Sequence, residues 1–282
     1  MIFRSYSKLN LSLRVLSKRK SGLHNIQSNV VKINLFDKIK MKKLKGHADV
    51  INFVGKFKKE VNKKNNTVIK TLNFLRKKNL IKNYYKITIT KNIPVYSGLG
   101  GGTGNAFFII KKLIKRNLSL NQKKFFQEKI GSDLRLFESK FLFQNSLYSV
   151  LKCRLKLKLF FLLVFPHGMR CSTRLIYSKV KKFSSPYKIN FSKIRNNETY
   201  LNLISNDRND LQDIVEREHP KIKKILSDLS NLKLSQFSRV TGSGSICFAV
   251  FKTENAAKKG LIKIKKNIQN SGVWLQNLFN FL

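Results

Sequence analysis

"PVYSGLGGGTGNA", residues 94–106, places Gly98, Gly100, Gly101, Gly102 and Gly104 within seven positions. Such a cluster is either a flexible linker or a loop that lets backbone amides approach a ligand closely. The flanks decide against a linker. "KITITKNIP" (86–94) before it is β-branched, alternating and closed by Pro94, the pattern of a strand. "NAFFIIKKLIKRN" (105–117) after it spaces apolar residues as a helix does, with Lys on the other face. A strand, a glycine loop and a helix N-terminus together make a phosphate site. The first N–H groups of a helix lack internal partners and carry partial positive charge. Glycines supply φ > 0 and remove the Cβ atoms that would hold a polyphosphate away. No Lys follows the cluster as a P-loop requires. No βαβ unit with a ribose-binding acid follows it either, which excludes a dinucleotide fold.

Composition bounds the rest. The 282 residues suffice for one large or two modest domains, and 42% hydrophobic residues with 22 Phe indicate a packed core. Lys and Arg number 58 against 14 Asp and Glu, a formal charge of +44. That balance suits a polyphosphate, nucleic-acid or anionic-membrane partner. Yet the excess runs from end to end with many Asn and Ile, as an AT-rich coding sequence produces, so "KIKMKKLKG" (38–46) and "KFKKEVNKK" (56–64) read as solvated faces. Cys153, Cys171 and Cys247 lie far apart without a CxxC pair, which speaks against a disulfide framework or zinc site and for the cytoplasm. The apolar run "LFFLLVF" (159–165) is too short for a bilayer span and reads as a buried strand. The basic, Ser-containing start has the composition of a transit peptide, but "LNLSLRV" alternates like a strand.

Further strands are expected at 4–16, at 24–42 (one or two) and at 155–166, and 237–253 reads as loop or strand, glycine turn, then strand. Helices are expected at 121–130, at 171–183 beginning at Ser172 or Thr173, at 209–232 as two pieces broken near Pro220, and at 255–270. Residues 184–200 read as loop. The mixture lacks strict βαβ alternation, so the class is α+β, with a boundary near residue 150.

Four stretches in this order and spacing resemble one family: "SYSKLNLSLRVLSKRKSGLHNIQSNV" (5–30), "PVYSGLGGGTGNA", "IGSD" (130–133) and "VTGSGSICFAVF" (240–251). They resemble the 4-diphosphocytidyl-2-C-methyl-D-erythritol kinases of the GHMP kinase superfamily. "PHGMRCSTRLIY" (166–177) and "NDLQDIVEREHPKI" (209–222) extend the likeness over nearly the whole chain. The resemblance implies a two-domain α+β fold, residues 1–152 resembling ribosomal protein S5 domain 2 and residues 153–282 ferredoxin-like, with the active site between them. It implies ATP and Mg²⁺ as cofactors and CDP-methylerythritol as the small-molecule substrate. It implies a monomer or homodimer without nucleic-acid or membrane partners.

By the same resemblance Lys8 and Asp133 are the catalytic pair, and Pro94, Val95, Tyr96, Ser97, Gly98, Leu99, Gly100, Gly101, Gly102, Thr103 and Gly104 form the ATP loop. Lys91 and Asn66 lie near adenine, and Asn10 near methylerythritol. His24 lies near cytosine, Thr173 contacts substrate and Tyr177 stacks on cytosine. No metal ligand is assignable, and phosphates and water would hold the Mg²⁺. Leu23 stands where the family has Tyr, Gly104 where it has Ser, and Arg135 where it has Pro. Two alternatives remain at this point: a homoserine- or mevalonate-type GHMP kinase, and a degenerate basic nucleic-acid-binding relative.

Overall fold

A computed structural model describes residues 1–114, 116–166, 168–268 and 273–280. Its strands are β1 (Ile2–Lys18), β2 (His24–Leu44), β3 (Val50–Val54), β4 (Tyr84–Thr90), β5 (Phe141–Gln144), β6 (Val150–Lys152), β7 (Phe160–Pro166), β8 (Phe237–Val240), β9 (Cys247–Phe251) and β10 (Val273–Asn280). Its α-helices are α1 (Thr67–Lys77), α2 (Gly101–Leu113), α3 (Leu120–Lys129), α4 (Thr173–Ser178), α5 (Asn197–Ser205), α6 (Gln212–Glu218), α7 (Pro220–Ser230) and α8 (Glu254–Ile268). The chain divides into two compact units. One holds Met1–Lys8, Leu35–Val95 and Gly100–Glu138; the other holds Leu9–Asn34, Tyr96–Leu99 and Ser139–Leu282. A cut at 152/153 follows chain order, whereas packing divides β1, β2 and the glycine loop between the two units.

In the first unit β4 pairs antiparallel with β2 and parallel with β3. Alternation aims Ile39 and Met41 of β2, and Tyr85, Ile87 and Ile89 of β4, at one face. Val68, Leu72 and Leu75 of α1 and Ala106, Ile109 and Ile110 of α2 close over that face as one buried cluster. Each fully buried Leu or Ile contributes about 1.5–3 kcal/mol. An exposed i,i+4 pair such as Glu254–Lys258 contributes only about 0.3–0.5 kcal/mol, so apolar spacing places the helices. Helix α3 starts on a capping box, Ser119 with Gln122.

In the second unit β2 pairs with β5 and β5 with β6, while β10, β7, β9 and β8 form a four-stranded antiparallel sheet in that order. All of β7 and β9 is buried. Residues Ile222, Ile225, Leu226 and Leu229 of α7 pack in the same cluster as Leu162, Val164 and Ala249. Arg239 on β8 is a hub, its guanidinium donating to the carbonyl oxygens of Leu11 and Ile204 at 2.7 Å, of Ser205 at 2.9 Å and of Asp207. Burial lowers its pKa to about 10 against the opposing pull of Asp207, so it stays charged at neutral pH.

Several elements depart from the expectations. Residues 24–42 belong to one 21-residue strand. The expected strand at 155–166 begins only at Phe160. Helix α2 reaches back to Gly101 and ends at Leu113, and residue 115 of the expected span lies outside the described residues. Helix α4 stops at Ser178 rather than 183, where the amides of Lys179 and Val180 turn to the carbonyls three residues back, tightening the last turn. The 184–200 loop contains a 3₁₀ turn (Phe191–Lys193) and the start of α5, capped by the Asn196 side chain. Helix α8 spans Glu254–Ile268, and residues 269–270 of the expected helix lie outside the described residues. Elements α1, β3, β5, β6 and β10 carry no sequence expectation, although Asn66 followed by Val68, Leu72 and Leu75 is a capped helical pattern.

Candidate functional site

The first unit contains Lys8, Asn66, Lys91, Pro94, Val95, Gly100, Gly101, Gly102, Thr103, Gly104 and Asp133. Gly100 caps α2 in the left-handed region at φ 69°, with no side chain bonded to the helix end. The N–H groups of Gly101, Gly102 and Thr103 therefore precede the first intrahelical bond, from the Gly104 amide to the Gly100 carbonyl at 2.7 Å, and receive no capping side chain from Gly100. Lys8 is 3% exposed, and its ammonium lies 3.2 Å from Asp133 Oδ2. Asp133 opens a 3₁₀ turn (Ser132–Phe137) and keeps a third of its side chain in solvent. The turn touches the glycine loop directly: a methyl built on Gly131 would lie 2.8 Å from Thr103 Oγ1. The Lys8 stem lies against Gly100, its Cε 3.2 Å from where a Cβ would stand. A carboxylate, an ammonium and a glycine-led helix N-terminus are thus assembled in one place.

Lys91 and Asn66 have local partners. The Lys91 ammonium is buried on Asp37, which is 0% exposed and also accepts from the amides of Asn92 (2.8 Å) and Ile93 (2.9 Å) and from Asn105 Nδ2 (3.0 Å). Asn66 caps α1 by accepting from the amides of Val68 (3.0 Å) and Ile69 (3.1 Å). Next to it, Thr67 Oγ1 donates to the Gly102 carbonyl at 2.8 Å and ties α1 to the first turn of α2. Sequence reasoning missed Asp37, whose signal is an acid at an inward position of an apolar strand.

The second unit contains Asn10, His24, Tyr96, Ser97, Gly98, Leu99, Thr173 and Tyr177. Here the second glycine turn clamps the loop. The Ile246 amide donates to the Ser97 carbonyl at 3.3 Å, and a Cβ on Gly98 would stand 2.1 Å from the Thr241 carbonyl oxygen. Gly98 also has φ +75°. Gly98→Ala is therefore expected to cost about 1–3 kcal/mol from backbone conformation alone, plus the displacement of the Thr241 strand end, measurable as a lowered Tm. The Asn10 amide donates to Thr241 Oγ1 at 2.9 Å and its side chain to Ser28 Oγ at 2.8 Å. Thr173 Oγ1 lies 2.9 Å from Ser243 Oγ. The His24 and Tyr177 rings stand 5.0 Å apart, tilted by 36°. Burial first, then the charge of Lys18, holds the His24 imidazole below its ordinary pKa, which keeps it neutral at pH 7. Asn10 packs by the same turn that holds Gly98, and the His24–Tyr177 pair is a ready aromatic surface.

The three departures have visible settings. Arg135 bonds Glu138 through Nε at 2.9 Å, an ion pair within the turn where the family has Pro. Leu23 is half-buried, its carbonyl accepting from the Arg19 amide at 2.8 Å. Gly104 is tightly enclosed: a methyl would lie 3.1 Å from both Phe137 Cε1 and the Tyr6 carbonyl oxygen, so a neighbour would have to give by a few tenths of an ångström. All three thiols are buried and unbridged, and burial raises Cys153 to about 12 and Cys171 to about 11. Among the described residues no helix is long and apolar enough to cross a membrane.

Residues 66–131 match the GHMP kinases N-terminal domain and residues 191–269 the GHMP kinases C-terminal domain. The chain is 37% identical over 274 residues to the 4-diphosphocytidyl-2-C-methyl-D-erythritol kinase of Pelagibacter ubique (strain HTCC1062), covering 95% of both chains. It is 32% identical over 260 residues to the enzyme of that name from Ehrlichia canis (strain Jake), covering 89% of this chain and 91% of that one. A crystal structure of a 4-(cytidine 5'-diphospho)-2C-methyl-D-erythritol kinase superposes with a TM-score of 0.74 over 100% of both chains at 20% identity, a likeness of fold. The α+β architecture is accordingly the two-domain GHMP kinase fold, and the chain belongs to the 4-diphosphocytidyl-2-C-methyl-D-erythritol kinase family.

Proposed function

We infer that this protein phosphorylates the 2-hydroxyl of 4-diphosphocytidyl-2-C-methyl-D-erythritol with ATP, within the non-mevalonate route to isopentenyl diphosphate. Family membership supports the substrate and the reaction. The observation that carries the mechanism is the Lys8–Asp133 ion pair beside the glycine-led start of α2.

Asp133 takes the proton of the attacking hydroxyl as the bond to the γ-phosphorus forms. Lys8 offers positive charge to the reacting oxygens. The first-turn amides of α2 bind the phosphates, and Gly100, Gly101 and Gly102 let the loop pack against Phe137, Ile93 and Thr67, where a Cβ would meet those side chains at 3.0, 2.9 and 3.2 Å. The start of α2 fits the phosphates of ATP, because its Gly100 cap sits in the left-handed region with no side chain bonded over the helix end. When bound, ATP supplies the phosphoryl group.

The described residues contain no cluster of three or more His, Cys, Asp or Glu side chains suited to a metal. Mg²⁺ is proposed to enter on the nucleotide with phosphate and water ligands, and no step is derived through it. In the second unit His24 and Tyr177 are proposed to take the cytosine, with Asn10 and Thr173 on the sugar-alcohol side.

A coupled kinase assay with ATP, Mg²⁺ and CDP-methylerythritol tests the reading, with homoserine and mevalonate as competing acceptors. Turnover on CDP-methylerythritol alone is the expected outcome. Turnover on another alcohol, or salt-sensitive nucleic-acid binding without turnover, would overturn it.

A further inference from the structure

We propose that Phe137 is a positioning residue for the phosphoryl transfer, its ring fixing the Asp133 turn against the phosphate-binding turn of α2. The inference rests on the reading of Asp133 as the base and extends it to a residue that touches neither substrate.

Positions 100 and 104 are one helical turn apart, so side chains there would share a face. Both are glycine, and the missing side chains leave a notch. The Phe137 ring occupies it. A Cβ on Gly100 would lie 3.0 Å from the ring's Cζ, and a Cβ on Gly104 would lie 3.1 Å from Cε1. Phe107 and Phe108, on the adjoining turn of α2, wall the ring at centroid distances of 6.0 and 6.2 Å. Phe137 is 1% exposed, so the ring is buried in this notch.

The same short turn carries the base. Asp133 and Phe137 lie in one 3₁₀ segment, closed by the Leu134 amide on the Gly131 carbonyl at 3.1 Å and by the Arg135–Glu138 pair. At its start, Gly131 sits against Thr103 so closely that a Cβ would meet Oγ1 at 2.8 Å. The base-bearing turn is therefore latched to the loop at both ends. A tightly packed ring transmits displacement instead of absorbing it. The serine hydroxyl that the family places at 104 is thus exchanged here for the volume that receives the ring.

The test compares Gly104→Ala, Phe137→Leu and the double variant in the full chain, measuring kcat, KM for ATP and for CDP-methylerythritol, and Tm. Misplacing a reacting group by about 1 Å costs about 10²-fold in rate. Each single variant should accordingly lose about 10- to 100-fold in kcat, with KM for CDP-methylerythritol unchanged, because neither alters a residue proposed to bind it. The double variant should regain part of that kcat, since the added methyl takes volume that Leu vacates on the ring side while the Tyr6 carbonyl stays in place. Singles with lowered Tm but wild-type kcat, or a double variant slower than either single, would overturn the proposal. An unmodified protein without turnover would remove the catalytic reading and this inference together. An active protein without rescue removes only the inference. Should the singles fail to fold, Phe137→Met carries the comparison: lowered kcat at constant KM for CDP-methylerythritol supports the latch, and unchanged kcat overturns it.

Discussion

Asp133→Asn is expected to lower kcat by about 10²- to 10⁴-fold, the range a positioned general base supplies. Asn is nearly isosteric and keeps an oxygen that can accept the substrate's hydrogen bond, but it cannot take the proton. The substitution therefore separates proton acceptance from orientation. In a loose phosphoryl-transfer transition state the hydroxyl loses its proton late, which places the expected loss toward the lower end of that range. KM should change little. The neighbouring Lys8 ammonium is 3% exposed and loses its counter-charge, so a reduced Tm should accompany the lost rate. Retention of more than about a tenth of wild-type kcat would exclude Asp133 as the base.

The largest stability effect belongs to a residue outside the chemistry. Asp37→Asn should destabilise the fold by about 3–5 kcal/mol, the cost of leaving a buried partner charge uncompensated. Asp37 is fully buried and receives four donors: the Lys91 ammonium, two consecutive backbone amides and the Asn105 amide. Asn at 37 would turn an N–H toward one of those donors and leave a charge of +1 inside. Domains are stable by about 5–15 kcal/mol in total, so urea denaturation should show the midpoint falling by about a fifth or more. Adding Lys91→Met should restore much of the loss, because an apolar side chain of similar length leaves no orphaned charge. A double variant as unstable as the single would show that the amides, not the ammonium, are what Asp37 holds.

The glycine loop was legible because its function is written in backbone requirements. A strand, residues lacking Cβ and an apolar helix must follow one another in the chain, so local reading suffices. The Lys8–Asp133 pair is not local. It rests on the 124 intervening residues folding back, and only resemblance to a family indicates it. Asp37 stood at an inward position between Leu35 and Ile39, a visible irregularity. Its partner is supplied by the β2–β4 register, which sets Lys38 opposite Thr90 and brings Lys91 alongside. No spacing rule reaches across 54 residues. Asn66 was tied to the nucleotide by resemblance, whereas its geometry makes it a helix cap, and one side chain can satisfy both patterns. Gly104 read as a lost hydroxyl in one dimension; in three it is the floor of a notch for Phe137.

The two buried ammonium groups also make the protein readable by covalent labelling. Lys8 and Lys91 are each 3% exposed in a chain where most lysines face water. An amine-acylating reagent would modify the surface first and reach these two only when the surrounding structure opens, at a rate set by the local opening free energy. Peptide mapping after timed acylation would then report how often the ground beneath the glycine loop comes apart, position by position and without any ligand.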